Sequence, residues 1–154
     1  MKIVLQRVSR AEVRVDGRTK ASIGRGLLAL VAVERGDTDA SATKAAAKIA
    51  VLRVFPGEDS GKMDRSVAEV GGEVLVVSQF TLAGSVRKGG RPSFERAAPP
   101  AEGAAICDTL ARALSSAGLK VSKGVFGAMM EVDLVNDGPV TIWLESNAGG
   151  EVGP

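Results

Sequence analysis

The chain has 154 residues, 45% of them hydrophobic and 25% charged, which suits one domain with a hydrophobic core and is too short for two ordinary domains. It contains no histidine and one cysteine, Cys107, so a Ser-His-Asp triad, a histidine-ligated zinc site and an intrachain disulfide are all excluded. The net charge of +2 is weak support for a nucleic-acid partner, and no apolar run reaches the ~18 residues of a membrane span, so a cytoplasmic location is expected.

The first third of the chain predicts four strands and one helix. Asp16-Gly17 is typical of the turn of a β-hairpin. A continuous apolar run at 26–33 predicts a strand buried on both faces. N-cap residues at 37–39 precede an alanine-rich stretch, which predicts a helix over 40–52. The strands are expected at 2–8, 11–15, 19–23 and 26–33.

The middle of the chain predicts strands separated by polar loops, followed by a second helix. A short strand is expected at 53–55, and 58–66 is polar enough to predict a loop. The strongest strand pattern of the chain covers 73–80, and a glycine-rich basic loop follows it at 84–92. Pro99-Pro100 begins and Gly118 ends a helix predicted over 100–117.

The C-terminal third predicts more strand and a tail. A strand is expected within 119–126, and strands at 130–136 and 140–144 are expected to form a hairpin around Asp137-Gly138-Pro139. A flexible tail is predicted at 148–154. The sum is a single domain over 1–147 of the α/β class (α+β type), in which mixed or antiparallel sheets close a barrel-like core with two main helices.

One candidate site follows the strongest strand. Ser78 and Thr81 supply hydroxyl groups there, and Gln79 supplies both a donor and an acceptor. Polar side chains at the end of a hydrophobic strand are a common position for a binding site. The alternative is that these side chains only cap the backbone where the strand ends.

A second candidate site is the run Asn136-Asp137-Gly138-Pro139-Val140-Thr141. A cis Gly-Pro bond there would point the two flanking carbonyl oxygens the same way, as a rigid pair of acceptors. The alternative is a plain hairpin connection.

Three further features carry chemistry of lower specificity. Arg87, Lys88 and Arg91 lie in a glycine-rich loop that suits phosphate, although a solvated surface loop has the same composition. Phe126 lies beside small residues and can stack on a base, although an aromatic residue in a strand is more often part of a core. Cys107 is expected to be a buried small hydrophobe rather than a nucleophile, because no histidine is present to activate it.

Taken together, these motifs resemble the D-aminoacyl-tRNA deacylases, the homodimeric D-Tyr-tRNA deacylase-like family. The resemblance covers nearly the whole chain, and several unlike pieces agree in order. They are Gln6-Arg7-Val8, Gly61-Lys62-Met63, Ser78-Gln79-Phe80-Thr81-Leu82, Arg91-Pro92-Ser93-Phe94, Phe126-Gly127-Ala128 with Met130, and Asn136-Asp137-Gly138-Pro139-Val140-Thr141.

The resemblance implies an enzyme that hydrolyses the ester between a D-amino acid, or glycine, and the terminal adenosine of tRNA. It implies a homodimer in which Gly138-Pro139 of one subunit, as a Gly-cisPro pair, enters the site of the other and rejects L-amino acids. No metal, cofactor, membrane or DNA is expected to take part. By resemblance, the site is lined by Ser78, Gln79, Phe80 and Thr81, Arg7 braces the Gly-Pro loop, and Phe126 and Met130 hold the adenosine.

Two mechanisms remain open for such an enzyme. Thr81 is the natural nucleophile, but nothing in the sequence activates it. We favour hydrolysis assisted by the ribose 2′-OH, with a backbone N–H of Phe80 or Thr81 steadying the oxyanion. Met129 and Glu131 depart from residues common in the family, which bears on substrate preference. A non-catalytic tRNA-binding module and a generic esterase are the competing functions.

Overall fold

The structure is a computed structural model that describes residues 1–57, 61–87, 89–147 and 152–153. Its helices are α1 (Asp39–Val51) and α2 (Pro100–Ser116), with a short 3-10 helix at Phe80–Ala83. The strands are β1 (Lys2–Val15), β2 (Arg18–Ile23), β3 (Gly26–Ala32), β4 (Phe55–Pro56), β5 (Met63–Arg65), β6 (Glu73–Ser78), β7 (Lys120–Lys123), β8 (Glu131–Ser146) and β9 (Val152–Gly153).

One mixed, curled sheet dominates the described part of the chain. Its strand order is β7-β6-β3-β1-β8-β9, with β2 paired to the second half of β1. The pairs β3–β6 and β6–β7 are parallel and the others are antiparallel. The sheet curls until β2 contacts β6 and β7. The prediction of an α+β domain with a mixed sheet and two helices is confirmed, whereas the barrel is half-closed because the hydrogen-bonded path ends at β7 and β9.

The sheet separates two hydrophobic cores. Alternate residues of β3 and β6 face opposite cores, which confirms that β3 is buried on both faces. The larger core lies between the sheet and the two helices. The smaller core fills the inside of the curl and contains Val8, Ala11, Val13, Ile23, Leu28, Leu75 and Val77.

Both predicted helices are confirmed, with ends that follow from local chemistry. Thr38 and Ser41 form a capping box at the start of α1, and the alanine side of that helix is buried in the larger core. Pro100 occupies the first turn of α2, where its missing N–H costs no hydrogen bond. Gly118 follows α2 with φ +86°, a conformation that glycine adopts without strain. No helix among the described residues is long and apolar enough to cross a membrane.

The predicted hairpin at Asp137-Gly138-Pro139 is wrong. β8 runs through these residues as one strand and pairs with β1 on both sides of them, from Arg14↔Glu131 to Lys2↔Glu145. Between the pairs Val8↔Asn136 and Gln6↔Thr141, β8 contains four unpaired residues where β1 contains one. Residues that are typical of a turn therefore form a bulge in β8. The chain does not reverse there, because β1 is long enough to pair with β8 both before and after the bulge.

One smaller prediction also fails, and the flexible tail stays a prediction. Met63–Arg65 of the predicted loop forms β5, which pairs with β4, while residues 58–60 of that loop lie outside the described residues. In the predicted flexible tail, Val152–Gly153 pairs with the end of β8. The rest of that tail, 148–151 and 154, lies outside the described residues.

Candidate active site

A pocket of about 290 Å³ opens where β3 and β6 end. β6 stops after Ser78, and the Gln79 N–H then donates to the Val31 carbonyl at 2.7 Å, which turns the chain into the 3-10 helix. The first turn of α2 forms the opposite wall. The residues that line the pocket include Val31, Ser78, Phe80, Gly103, Cys107 and Phe126.

Of the polar side chains at the end of β6, Ser78 lines this pocket, whereas Gln79 and Thr81 are outside its lining. Ser78 is half-buried in its lining, and Thr81 is exposed. The Gln79 amide Nε2 donates to Thr81 Oγ1 at 2.6 Å. A neutral amide donor orients a hydroxyl but cannot remove its proton, so this contact does not activate Thr81 as a nucleophile.

Two aromatic rings form one rim of the pocket. Phe80 is 58% exposed, and its ring meets the ring of Phe94 edge to face, with centroids 5.1 Å apart and planes at 70°. Gly84 makes room for this pair, because a Cβ there would lie 2.9 Å from Phe94 Cε1 and 2.8 Å from the Thr81 carbonyl oxygen. The Phe80 ring is thus held at the surface by its contact with Phe94 and is not buried in a core.

Phe126 forms the facing rim. It is 43% exposed and lies over Gly103 of α2, whose missing side chain leaves space for the ring. Met130 lies elsewhere, packed against the smaller core and Gly124 rather than in the pocket lining. Met129 is 91% exposed on the turn between Phe126 and β8.

The bulge of β8 presents Gly138 and Pro139 to solvent, and their peptide bond is cis. Arg7, 8% exposed, holds the bulge from beneath. Its Nε donates to the Asp137 carbonyl at 3.2 Å, and its Nη1 donates to the Val54 carbonyl at 2.6 Å. Asn136 Nδ2 closes the bulge by donating to the carbonyls of Arg7 at 2.9 Å and Val140 at 3.0 Å.

Within one chain, the bulge and the pocket are far apart. The strand register places the bulge level with Arg7 of β1. Arg7 pairs with a residue of β3 that in turn pairs with Val74 of β6, and Ser78 is four residues further along β6. Three strand spacings of ~4.8 Å and four residues of ~3.3 Å each give about 19 Å across the sheet. With the exception of Met130, the predicted site residues therefore fall into two groups, one near the pocket and one at the bulge.

Cys107 lines the pocket wall on α2 and is 7% exposed. Burial, and to a lesser extent the neighbouring Asp108 carboxylate, raises the pKa of its thiol to about 11. The thiol is therefore neutral near pH 7 and does not act as a nucleophile. Within the described ranges, no group of three or more acidic or cysteine side chains is placed to hold a metal ion.

Several residues of the site were missed by sequence reasoning. Phe94 supports Phe80, Gly103 makes room for Phe126, and the Val54 carbonyl anchors Arg7. Of these residues, only Phe94 could have been found from the sequence, because it ends Arg91-Pro92-Ser93-Phe94, a motif of the family resemblance to which no role was assigned. The others are defined by contacts between segments that are distant in sequence, and such contacts produce no local sequence pattern.

Fold and pocket together define an α+β protein with an aromatic-rimmed pocket at the end of parallel strands. Comparison with known proteins identifies the family within this class. The family model described as D-Tyr-tRNA(Tyr) deacylase matches residues 4–145. A protein of Thermomicrobium roseum named D-aminoacyl-tRNA deacylase is 58% identical over 146 residues, which are 95% of this chain and 94% of that protein. One of the same name from Anaeromyxobacter dehalogenans is 56% identical, over 95% of this chain and 97% of that protein.

Two solved structures share the fold. One, described as a c-Myc DNA unwinding element binding protein, has a TM-score of 0.89 and 40% identity, over 96% of this chain and all of that chain. Another, described as a probable eukaryotic D-amino acid tRNA deacylase, has a TM-score of 0.77 and 21% identity, over 92% of this chain and 97% of that one, and supports the fold alone. The chain belongs to the D-Tyr-tRNA(Tyr) deacylase family.

Proposed function

We propose that this protein hydrolyses the ester bond of D-aminoacyl-tRNA and of mischarged glycyl-tRNA, releasing the amino acid and the tRNA. The names of its relatives support the reaction. The observation that carries it to this chain is the pocket that Ser78, Phe80 and Phe126 line together. Two exposed aromatic rings in the lining of one pocket suit the adenine of a tRNA 3′ end. Since tRNA charging belongs to protein synthesis, the expected location is the cytoplasm.

The chemistry needs no strong base on the protein. The aminoacyl ester is labile beside a free ribose hydroxyl, so we propose that the substrate 2′-OH helps water attack. The N–H groups of Phe80 and Thr81 begin the 3-10 helix, where backbone donors lack intrahelical acceptors, and would stabilise the oxyanion. The absence of histidine from the chain and the neutral partner of Thr81 both favour this route over attack by Thr81.

Chirality would be selected by exclusion. In this proposal the carbonyl oxygens of Gly138 and Pro139 accept hydrogen bonds from the substrate α-ammonium group. With ammonium and ester both fixed, a D side chain points to open space and an L side chain strikes the loop. Glycine has no side chain to reject, so it is also cleaved. The brace from Arg7 and Asn136 supports this role, because exclusion requires a loop that does not yield.

The loop would act on the pocket of a second subunit. The separation of about 19 Å between bulge and pocket in one chain supports this arrangement, because one amino acid cannot bridge it. A homodimer related by a two-fold axis would supply each pocket with the loop of the other subunit.

Subunit complementation tests the reaction and its architecture together. One variant carries Gly138→Ala with Pro139→Ala, and the other carries Gln79→Ala with Phe80→Ala. If the loop acts across subunits, a heterodimer purified through two different tags has one intact site of two and shows about half of wild-type activity. If loop and pocket act within one chain, both sites are defective and the heterodimer is as inactive as either parent.

A further inference from the structure

The segment between the 3-10 helix and α2 contains a loop whose base is fixed to the pocket. Ser85 and Ser93 exchange backbone hydrogen bonds of 2.8 and 2.9 Å, which join the two ends of a loop whose described residues are 86–87 and 89–92. Phe94 follows directly and packs on Phe80 at the pocket rim. The loop therefore projects from the edge of the pocket and is anchored on both sides of its base.

Two arginines on this loop have no ionic partner among the residues that the structure describes. Arg87 and Arg91 are exposed, and neither forms a hydrogen bond or ion pair with any described residue. No acidic residue occurs between 84 and 94. Two other exposed arginines form ion pairs, Arg10 with Asp133 at 2.7 Å and Arg96 with Glu34 at 3.0 Å.

Two such guanidinium groups beside a pocket of nucleoside size are suited to bind a polyanion that extends out of that pocket. A guanidinium binds phosphate through two parallel N–H donors, and glycine-rich backbone lets the phosphate approach closely. The neighbouring positions at 89 and 90 are glycines whose Cβ positions contact nothing within 4 Å.

We propose that Arg87 and Arg91 bind the phosphates of the unpaired nucleotides that precede the terminal adenosine of tRNA. This inference rests on the proposed function, because the ester would then fix the adenosine in the pocket and the rest of the strand would run over the loop. The pocket would recognise the aminoacyl-adenosine, and the loop would recognise the polynucleotide.

The test compares two substrates that differ only in the polynucleotide. They are D-aminoacyl-tRNA and 2′(3′)-O-D-aminoacyl-adenosine, which carries no phosphate. We expect the double variant Arg87→Gln, Arg91→Gln to lose about tenfold in kcat/KM on the tRNA substrate at low salt and nothing on the nucleoside. The slope of log kcat/KM against log salt should also fall by about 1.4, at ~0.7 for each phosphate contact to a single strand.

The matched control is Arg18→Gln with Lys20→Gln, which removes the same charge from exposed positions of β2. Equal losses in the control would show a general charge effect and overturn the proposal. Equal losses on both substrates would show that the loop only shapes the pocket, which also overturns it. Wild-type protein that cleaves neither substrate would overturn the proposed function itself, whereas cleavage of both with no loss in the arginine variant would overturn this inference alone.

Discussion

Arg7 and Asp137 are 130 positions apart in the chain, and the Arg7 Nε lies 3.2 Å from the Asp137 carbonyl oxygen and 3.1 Å from its Oδ2. The same guanidinium reaches the Val54 carbonyl. One buried side chain thus links the bulge of β8 to the segment after α1. The exposed Gly138-Pro139 pair is fixed in place by a residue that does not itself reach the surface.

We expect Arg7→Ala to lower the free energy of unfolding by about 2–3 kcal/mol, because it removes a charged donor and leaves the carbonyls of Asp137 and Val54 without partners. Denaturant unfolding measures this loss. Arg10→Ala, on the same strand but paired at the surface, should cost less than about 1 kcal/mol. Equal costs would contradict the brace.

Gly138→Ala should reduce both stability and deacylation. A Cβ at this position would lie 2.5 Å from Arg7 Nη2, and the φ of +116° strains any L side chain. Gly17→Ala is the matched control, since φ is also positive there at +71° and nothing lies within 4 Å. We expect about 1–2 kcal/mol from backbone strain in both variants, with an additional loss in Gly138→Ala alone. If the two variants lost the same free energy of unfolding, the Arg7 side chain would be shown to move away from the added methyl group at no cost in stability.

Gly84→Ala should lower both activity and stability. The added methyl would lie 2.8 Å from the Thr81 carbonyl oxygen and 2.9 Å from Phe94 Cε1, so it would displace backbone and the Phe94 ring, and with that ring Phe80, although the backbone φ of −68° accepts alanine. We expect KM for aminoacyl-adenosine to rise several-fold, with kcat changed less. Gly90→Ala, in open space on the same loop, should leave KM unchanged. A KM that is the same in both variants would contradict a role for the ring pair in binding.

Cys107 should be unreactive at neutral pH and dispensable. Its folded-state pKa of about 11 lies above the ordinary value of 9.0, so the unfolded chain loses the thiol proton first as pH rises. Because of this group, the free energy of unfolding falls as pH rises from about 9 to about 11, and below pH 9 the group has no effect on it. Alkylation should be slow at pH 7 in folded protein and fast in denaturant, and Cys107→Ala should keep its activity. Loss of turnover in that variant with folding intact would show that the thiol takes part.

The parts of the fold that depend on local pattern could be predicted from the sequence. The alanine-rich stretch of α1 has a helical period, and the short, continuous apolar run of β3 is typical of a strand buried on both faces. The bulge at Asp137-Gly138-Pro139 could not be predicted, because the same residues serve a hairpin turn and only the length of β1 decides between them. β5 and β9 are too short to carry a pattern of their own.

The candidate site divides in the same way. Ser78 and Phe126 lie in the pocket lining. Their sequence context left a plain structural role open for each, and only the family resemblance assigned them to the site. The separation between bulge and pocket comes from strand register, which no single segment encodes. Met130 reads as a neighbour of Phe126 in sequence, but the strand turns it toward the smaller core.

Chiral selection by this protein is measured with one tRNA that is charged in turn with a D-amino acid, the L-enantiomer and glycine. Release of each amino acid by the purified protein is followed over time. We expect the D-ester and the glycyl ester to be hydrolysed and the L-ester to stay intact. Hydrolysis of the L-ester at the rate of the D-ester would contradict selection by exclusion, and no release by folded protein that binds the tRNA would make the chain a binding module.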